Sequence, residues 1–243
     1  MKKVLALLMS GLMLLSFAAC SKDTAATSGY GIADEYLNNM EYSTYQDIFY
    51  NDTGAKYANK SYKKEGIFSV IHDSFKGTDR YYVWGFNDNT HCCDWQWELC
   101  LTDTSDLPKN GSLVEFEGTF KADEKALDGY WFVDNKITVK IEYTGSDVDY
   151  DLTTLSATLT RVQLINMLNY PDEYVGKTIK LIARVMGTES IQHPYYDDAW
   201  VLPVKTSKAL PAIGKWIVAT GTLSGSTAEN CVFNITEFAE VSA

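Results

Sequence analysis

The stretch "DWQWELCLTDTSDLPKNGSLVEFEGTF" at residues 94–120 and the stretch "DDAWVLPVKTSKALPAIGKWIVATGTL" at residues 197–223 lie over one another without a gap, at a constant offset of 103. Asp94 falls on Asp197, Trp97 on Trp200, Leu99 on Leu202, Leu107-Pro108 on Leu210-Pro211, Gly111 on Gly214 and Gly118-Thr119 on Gly221-Thr222. Self-similarity at a fixed spacing marks a repeated structural unit. Upstream, "NKSYKKEGIFSV" (59–70) matches "GKTIKLIARVMG" (176–187) at an offset of 117, so the second copy is shorter between its first and third strands. Downstream, "GYWFVDNKITVKIEY" (129–143) and "ENCVFNITEFAEV" (229–241) close the two copies. The chain therefore reads as two domains, residues 40–144 and 158–243, joined by a polar linker over 145–157, "GSDVDYDLTTLSA".

The period inside each copy is that of strands. Tyr62, Gly66, Phe68 and Val70 alternate with polar neighbours, as do Ile179, Leu181, Ala183 and Val185. A helical segment precedes each first strand. In the second copy it lies in "TRVQLINMLNYPDEYVG" (160–176), where Val162, Ile165, Leu168 and Tyr174 could share a face and Pro171 marks the end. In the first copy it lies within "STYQDIFYNDTGAKYAN" (43–59). A short helix followed by about five short strands, with glycines where strands bend, predicts a mainly β chain of two tandem five-stranded barrels of the oligonucleotide/oligosaccharide-binding (OB) type. A small sandwich is the alternative.

"GIFSVIHD" (66–73), "YYVWGFNDNTHCCDWQWEL" (81–99), "LPKNGSLVEFEGTF" (107–120) and "GYWFVDN" (129–135) resemble the OB-like domains of bacterial lipoproteins and of envelope repeat proteins, some associated with metal-transport systems. The resemblance covers most of the first copy and less of the second. It implies a fold more than a function, because folds of this type host many activities.

Residues 1–19, "MKKVLALLMSGLMLLSFAA", place two lysines before a short apolar run that ends in small residues, the anatomy of a secretory signal. Phe17-Ala18-Ala19-Cys20 resembles a bacterial lipobox, which makes Cys20 the lipidated new amino terminus and residues 20–39 an anchor and flexible spacer. The expected location is a bacterial cell membrane or outer membrane, facing the extracytoplasmic side. The chain carries a net charge of −11, and loss of Lys2 and Lys3 with the signal makes it more acidic still. Such a balance repels phosphate backbones and argues against general nucleic-acid binding, with the membrane and envelope proteins as expected partners.

"THCCDWQWELC" (90–100) concentrates a histidine and three of the five cysteines. Cys92 and Cys93 fall over Tyr195 and Tyr196, Cys100 over Pro203 and Cys231 over Tyr130, so the scaffold requires none of these thiols twice. By contrast Asp94, Trp97 and Leu99 recur, with the tryptophan and leucine expected to point into the barrel and Asp94 to start the strand. Four expectations follow for the thiols, the plainest being free, merely buried thiols. Cys92, Cys93, Cys100 and Cys231 are disulfide candidates in an oxidising compartment, though adjacent cysteines bridge each other only with strain. His91, Cys92 and Cys93, with His72, could instead hold zinc or copper(I). A thiol redox function is the last, but no C-x-x-C at a helix start supports it.

His193, beside Pro194, reads as a loop residue, and "DVDYD" (147–151) lacks the glycine and distal glutamate of a calcium loop. No nucleophile elbow, phosphate-binding loop or HExxH occurs, so catalysis is not expected. Tyr82, Trp84 and Trp95 could form an aromatic ligand face, Tyr82 and Trp84 sharing one side of their strand and Tyr81 and Val83 the other, unless that side packs inward. The expected function is a membrane-anchored binding or interaction module, with metal binding and thiol redox chemistry as alternatives.

Overall fold

The computed structural model describes residues 57–86, 94–127, 129–145, 147–193 and 201–241. It is mainly β. The first half contains β1 (Ser61–Asp73), β2 (Thr78–Phe86), β3 (Asp94–Leu99), β4 (Leu113–Ala122) and β5 (Tyr130–Ile141), which close into a barrel in the order β1-β2-β3-β5-β4. The connection carries β6 (Tyr150–Asp151), a 3-10 turn at Leu152–Thr154 and the helix α1 (Ala157–Asn169). Then come β7 (Thr178–Gly187), β8 (Ser190–Gln192), β9 (Leu202–Thr206), β10 (Trp216–Ser224) and β11 (Val232–Val241). These run in the order β7-β8-β9-β11-β10, with β10 also pairing with β7 and β6 added beside β7. Both halves thus pair their five strands in the same order. The helix expected before the first strand of the first copy falls in residues 43–59, which lie almost wholly outside the described residues.

The repeated residues have repeated backbone reasons. The Gly111 N–H donates to the Phe68 carbonyl at 2.9 Å and the Phe68 N–H to the Ser112 carbonyl at 2.8 Å. In the second half the Gly214 N–H donates to Val185 and the Val185 N–H to Lys215, both at 2.8 Å. Phe68 and Val185 are the residues related by the offset of 117, so both offsets meet in one conserved contact. Gly111 and Gly214 each have φ of +90°, which side-chain-bearing residues rarely adopt. Gly118 lies opposite a bulge in β5, and Gly221 adjoins a register shift against β11. A Cβ at Gly118 would come within 2.4 Å of Asn135 Oδ1, and one at Gly221 within 2.3 Å of the Asn234 carbonyl oxygen.

β1 is long because it serves two neighbours. Ser61–Ile67 pair with β4 and Ile67–Asp73 with β2. Past Ile67 the edge that β4 has left is satisfied by side-chain amides instead. Asn110 Oδ1 accepts from the Val70 N–H at 2.6 Å, Gln163 Oε1 from the His72 N–H at 2.9 Å, and Asn166 Nδ2 donates to the His72 carbonyl at 2.7 Å. Two of these three amides belong to α1.

The segment expected to be a polar linker is a packed element. Asp151, Leu152, Thr153, Thr154, Leu155 and Ser156 are all buried, because they fill the seam between the halves. One apolar cluster joins Ile67, Ile71, Tyr82, Trp84 and Phe86 to Leu152, Leu155, Leu159, Met167, Tyr174 and Leu181. A second, of Phe68, Val83, Trp95, Trp97, Leu99, Val114, Phe116, Phe120 and Phe132, fills the first barrel. Trp97 and Leu99 point inward as expected.

α1 starts on Ser156, whose Oγ accepts from the Leu159 N–H at 3.1 Å. The Asp94 carboxylate, from the other half, accepts from the Thr158 N–H at 3.2 Å, which also suits the positive end of the helix. The helix stops before Pro171 as its sequence predicts. Its buried face is Leu159, Thr160, Gln163, Leu164, Met167 and Leu168, while Ile165 is 37% exposed. Of the expected Val162, Ile165, Leu168 and Tyr174, all but Ile165 lie in or against the core, and the buried face also takes in Thr160 and Gln163, because the helix must bury polar groups that satisfy β1.

Two outcomes are expected. Gly214→Ala will cost about 1–2 kcal/mol in denaturant unfolding, the strain of positive φ. Gly111→Ala will cost about 1–3 kcal/mol more, because its Cβ would also strike Thr154 Cγ2 at 2.7 Å and Tyr143 at 2.9 Å. Because the two halves share a core, native-state hydrogen exchange will give amides in β2 and β10 the same opening free energy; unequal values would mean the halves open separately.

Candidate functional site

Tyr82, Trp84 and Trp95 do not form a ligand face. Their exposures are 1%, 1% and 0%. Period-two alternation holds on β2, with Val83 in the barrel core and Tyr82 and Trp84 on the other side. That other side is covered by the second half. Trp84 Nε1 donates to Ser69 Oγ at 2.9 Å and to the Thr154 carbonyl at 3.1 Å. Trp95 lies inside the barrel, over Gly66 and Gly85, where a Cβ would approach its ring to 3.0 and 2.5 Å.

His72 sits at the end of β1, facing the second half. Its Nδ1 lies 2.8 Å from Asp79 Oδ1, its Nε2 lies 3.4 Å from Glu173 Oε2, and its ring meets Tyr174 edge-on. Both ring nitrogens are thus engaged by carboxylates, one from each half. His91, Cys92, Cys93 and Cys20 lie outside the described residues. Among the described residues no cluster of three histidine, cysteine or acidic side chains could hold a metal ion.

Cys100 and Cys231 are free thiols, one at the end of β3 in the first half and the other buried in the core of the second. Burial, then the charges of Asp123 and Glu98, push the Cys100 thiol up, and burial alone pushes up that of Cys231. Both shifts suppress the thiolate that redox chemistry needs. His193 is driven down to about 3 by burial, so its ring is neutral.

The two hairpin loops at one end of the first barrel are tied by Arg80. Its Nε donates to Asp73 Oδ2 at 2.8 Å, its NH1 to Glu98 Oε1 at 2.5 Å, and it also reaches the Lys125 carbonyl. Glu98 Oε2 accepts from the Leu127 N–H at 2.7 Å. Burial alone would lift the Asp73 carboxyl, but hydrogen bonds from Arg80 and the Lys76 backbone outweigh it and hold the group below the usual range.

Near the β3–β4 connection the short ladder between β3 and β5 ends. A groove of about 440 Å³ runs between residues 101–109 and β5, with Leu101, Leu107, Pro108, Ile137 and Val139 as its apolar part. Asp103, Asp106, Glu142 and Lys109 also line it, three carboxylates and one ammonium. Asp103 accepts from the Ser105 N–H at 2.9 Å and the Ser105 hydroxyl at 2.7 Å, which hold its carboxyl below the ordinary range. Asn135 begins the groove and closes the barrel beside it, its Nδ2 donating to the carbonyls of Cys100 at 3.0 Å and Phe132 at 2.8 Å. Sequence patterning did not single out this site. The available signal was the repeat: at the offset of 103, Leu107-Pro108 recur as Leu210-Pro211, whereas Asp103, Asp106 and Lys109 become Thr206, Ala209 and Ala212.

No known family and no curated protein matches this chain. Among the described residues no helix is long and apolar enough to cross a membrane.

The seam between the halves carries a pH dependence. The Tyr143 hydroxyl donates to Asp151 Oδ2 at 3.0 Å, and burial followed by the Asp151 charge pushes its pKa up to about 12 from 10.0. Burial, then Tyr174, does the same for Tyr150. A folded-state pKa above the unfolded one contributes stability that is whole below pH 10.0 and lost as pH rises through about 12. Tyrosinate absorbance will therefore show a late alkaline step, and Tyr143→Phe will reduce both that step and the alkaline loss of stability.

Proposed function

We propose that the protein is a lipid-anchored, extracytoplasmic binding protein built of two OB-type barrels, with the groove of the first barrel as its ligand surface. The order 1-2-3-5-4 in each half, with the first strand shared between two neighbours, supports the OB reading. The lipobox resemblance at Phe17–Cys20 supports the anchor.

The observation that carries the binding function is the asymmetry between the copies. Where the fold needs a residue, both copies keep it, as at Gly111 and Gly214. Around the groove the apolar Leu107-Pro108 is kept while the carboxylates of Asp103 and Asp106 are confined to the first copy. A scaffold requirement would appear twice, so the single set of carboxylates points to a task beyond folding. That lining offers carboxylates, aliphatic surface, an amide and the Lys109 ammonium, and no serine, cysteine or histidine, which suits recognition of a ligand.

The anchor is tested by feeding cells an alkyne-tagged palmitate. The wild-type chain is expected to carry the tag and sediment with membranes, and Cys20→Ser to lose both; a tagged, membrane-bound Cys20→Ser chain would overturn the assignment.

A further inference from the structure

We propose that the groove of the first barrel is a strand-addition site for an extended peptide segment rich in basic and aliphatic residues. This deepens the binding function above and rests on it.

The first support is the backbone of β5. β5 pairs with β4 along its whole length, from Tyr130 opposite Ala122 to Ile141 opposite Leu113. Its other neighbour, β3, meets it only at Leu99 and Phe132, with one further bond from the Cys100 N–H to the Phe132 carbonyl. Past Asn135 the edge turned away from β4 has no ladder partner among the described residues. Six residues, Lys136 to Ile141, present about 20 Å of such edge. The molecule meets the same problem in β1, where Asn110, Gln163 and Asn166 supply amides to the vacated edge. On β5 the Asn135 amide instead bonds the Cys100 and Phe132 carbonyls, ahead of the vacated stretch, and the strand beyond it borders the groove. An unpaired edge beside a groove is the arrangement by which domains take up an extended chain, the ladder giving affinity and the flanking pockets selecting side chains.

The second support is the character of the lining. Ile137 is half-buried and Val139 46% exposed, apolar groove side chains on an otherwise solvated strand end. They would be covered by aliphatic residues of an added strand. Asp103, Asp106 and Glu142 border the same space against the single Lys109, and in an acidic chain they favour a cationic partner over an anionic one. Lys136 and Lys140 do not cancel this field from the groove side. They alternate out of register with the groove residues Asn135, Ile137 and Val139, and Lys140 pairs with Glu115 on β4.

The third support is the second half as an internal control. β11 meets β9 only at Phe233–Ile235, so it too extends past its parallel neighbour. There the carboxylate positions hold Thr206 and Ala209. β11 itself carries Glu237 and Glu240, the latter paired with Lys215, so the expected preference of a basic segment for β5 over β11 rests on the loop carboxylates.

The test uses the full-length protein in detergent micelles and a fluorescent peptide of about eight residues alternating valine and lysine, long enough to lie along the edge. Two companions are its valine–glutamate counterpart and a version N-methylated at alternate backbone nitrogens, which cannot complete a ladder. The lysine peptide is expected to bind and to slow amide exchange in residues 136–141 but not in 236–241. The glutamate peptide should bind at least about tenfold more weakly, and the N-methylated one not measurably. Replacing Asp103→Asn and Asp106→Asn together should weaken the lysine peptide about fivefold without altering thermal unfolding, because both carboxylates border solvent. The proposal is overturned if the lysine peptide does not bind, if N-methylation makes no difference, or if protection appears elsewhere. Palmitate labelling at Cys20 is independent of all three results, so failure here is distinguishable from failure of the lipoprotein assignment.

Discussion

Much of this molecule depends on the indole of Trp84. It lies in an apolar cluster drawn from both halves, and its Nε1–H donates to Ser69 Oγ within its own barrel and to the Thr154 carbonyl in the connecting segment. A buried N–H without acceptors would cost on the order of 1–3 kcal/mol, so the connecting segment must stay where it satisfies this group. With Thr154 held, Ser156 and Asp94 start α1, and α1 then supplies Gln163 and Asn166 to the edge of β1. The join between the copies is therefore part of the first barrel's own hydrogen bonding.

The duplication separates what the fold requires from what it permits. Gly111 and Gly214 share a φ of +90° and a carbonyl partner on the first strand of their copy, and Gly118 and Gly221 leave no room for a Cβ against the last strand. Those requirements are geometric and so appear twice. The carboxylates of Asp103 and Asp106 at the β3–β4 connection are not a geometric requirement, and they appear once. The same contrast bears on the thiols: neither Cys100 nor Cys231 has a cysteine counterpart, and each is a free thiol held neutral by its surroundings.

The candidate site was only partly legible from the chain. Tyr82, Trp84 and Trp95 stood out as aromatics on strands, but alternation gives two faces without saying which is wet, and here both faces of β2 are covered. His72 stood out as a possible ligand, but its ring is held by Asp79 from the neighbouring strand and Glu173 from a distant turn. The groove residues were quieter. Asp103 and Asp106 look like ordinary turn residues until the short β3 and the long β5 are seen to part company beside them.

What the sequence determined by itself is everything that depends on local period and backbone geometry: strands from alternation, the end of α1 from Pro171, and the repeated glycines from positions that exclude a side chain. The inward direction of Trp97 and Leu99 was legible for the same reason, since each belongs to a conserved strand register. What only the tertiary structure decided is how the two copies meet. Residues 145–157 are polar enough to be a solvated linker, yet Asp151, Thr153, Thr154 and Ser156 are buried because each finds a hydrogen-bond partner across or within the seam. Burial of polar groups depends on partners distant along the chain, such as the Tyr143 hydroxyl for the Asp151 carboxylate and the Ser69 hydroxyl for the Thr154 main-chain carbonyl, and no local pattern encodes that pairing. The groove arises in the same way, from a mismatch in length between two strands that are not neighbours in sequence.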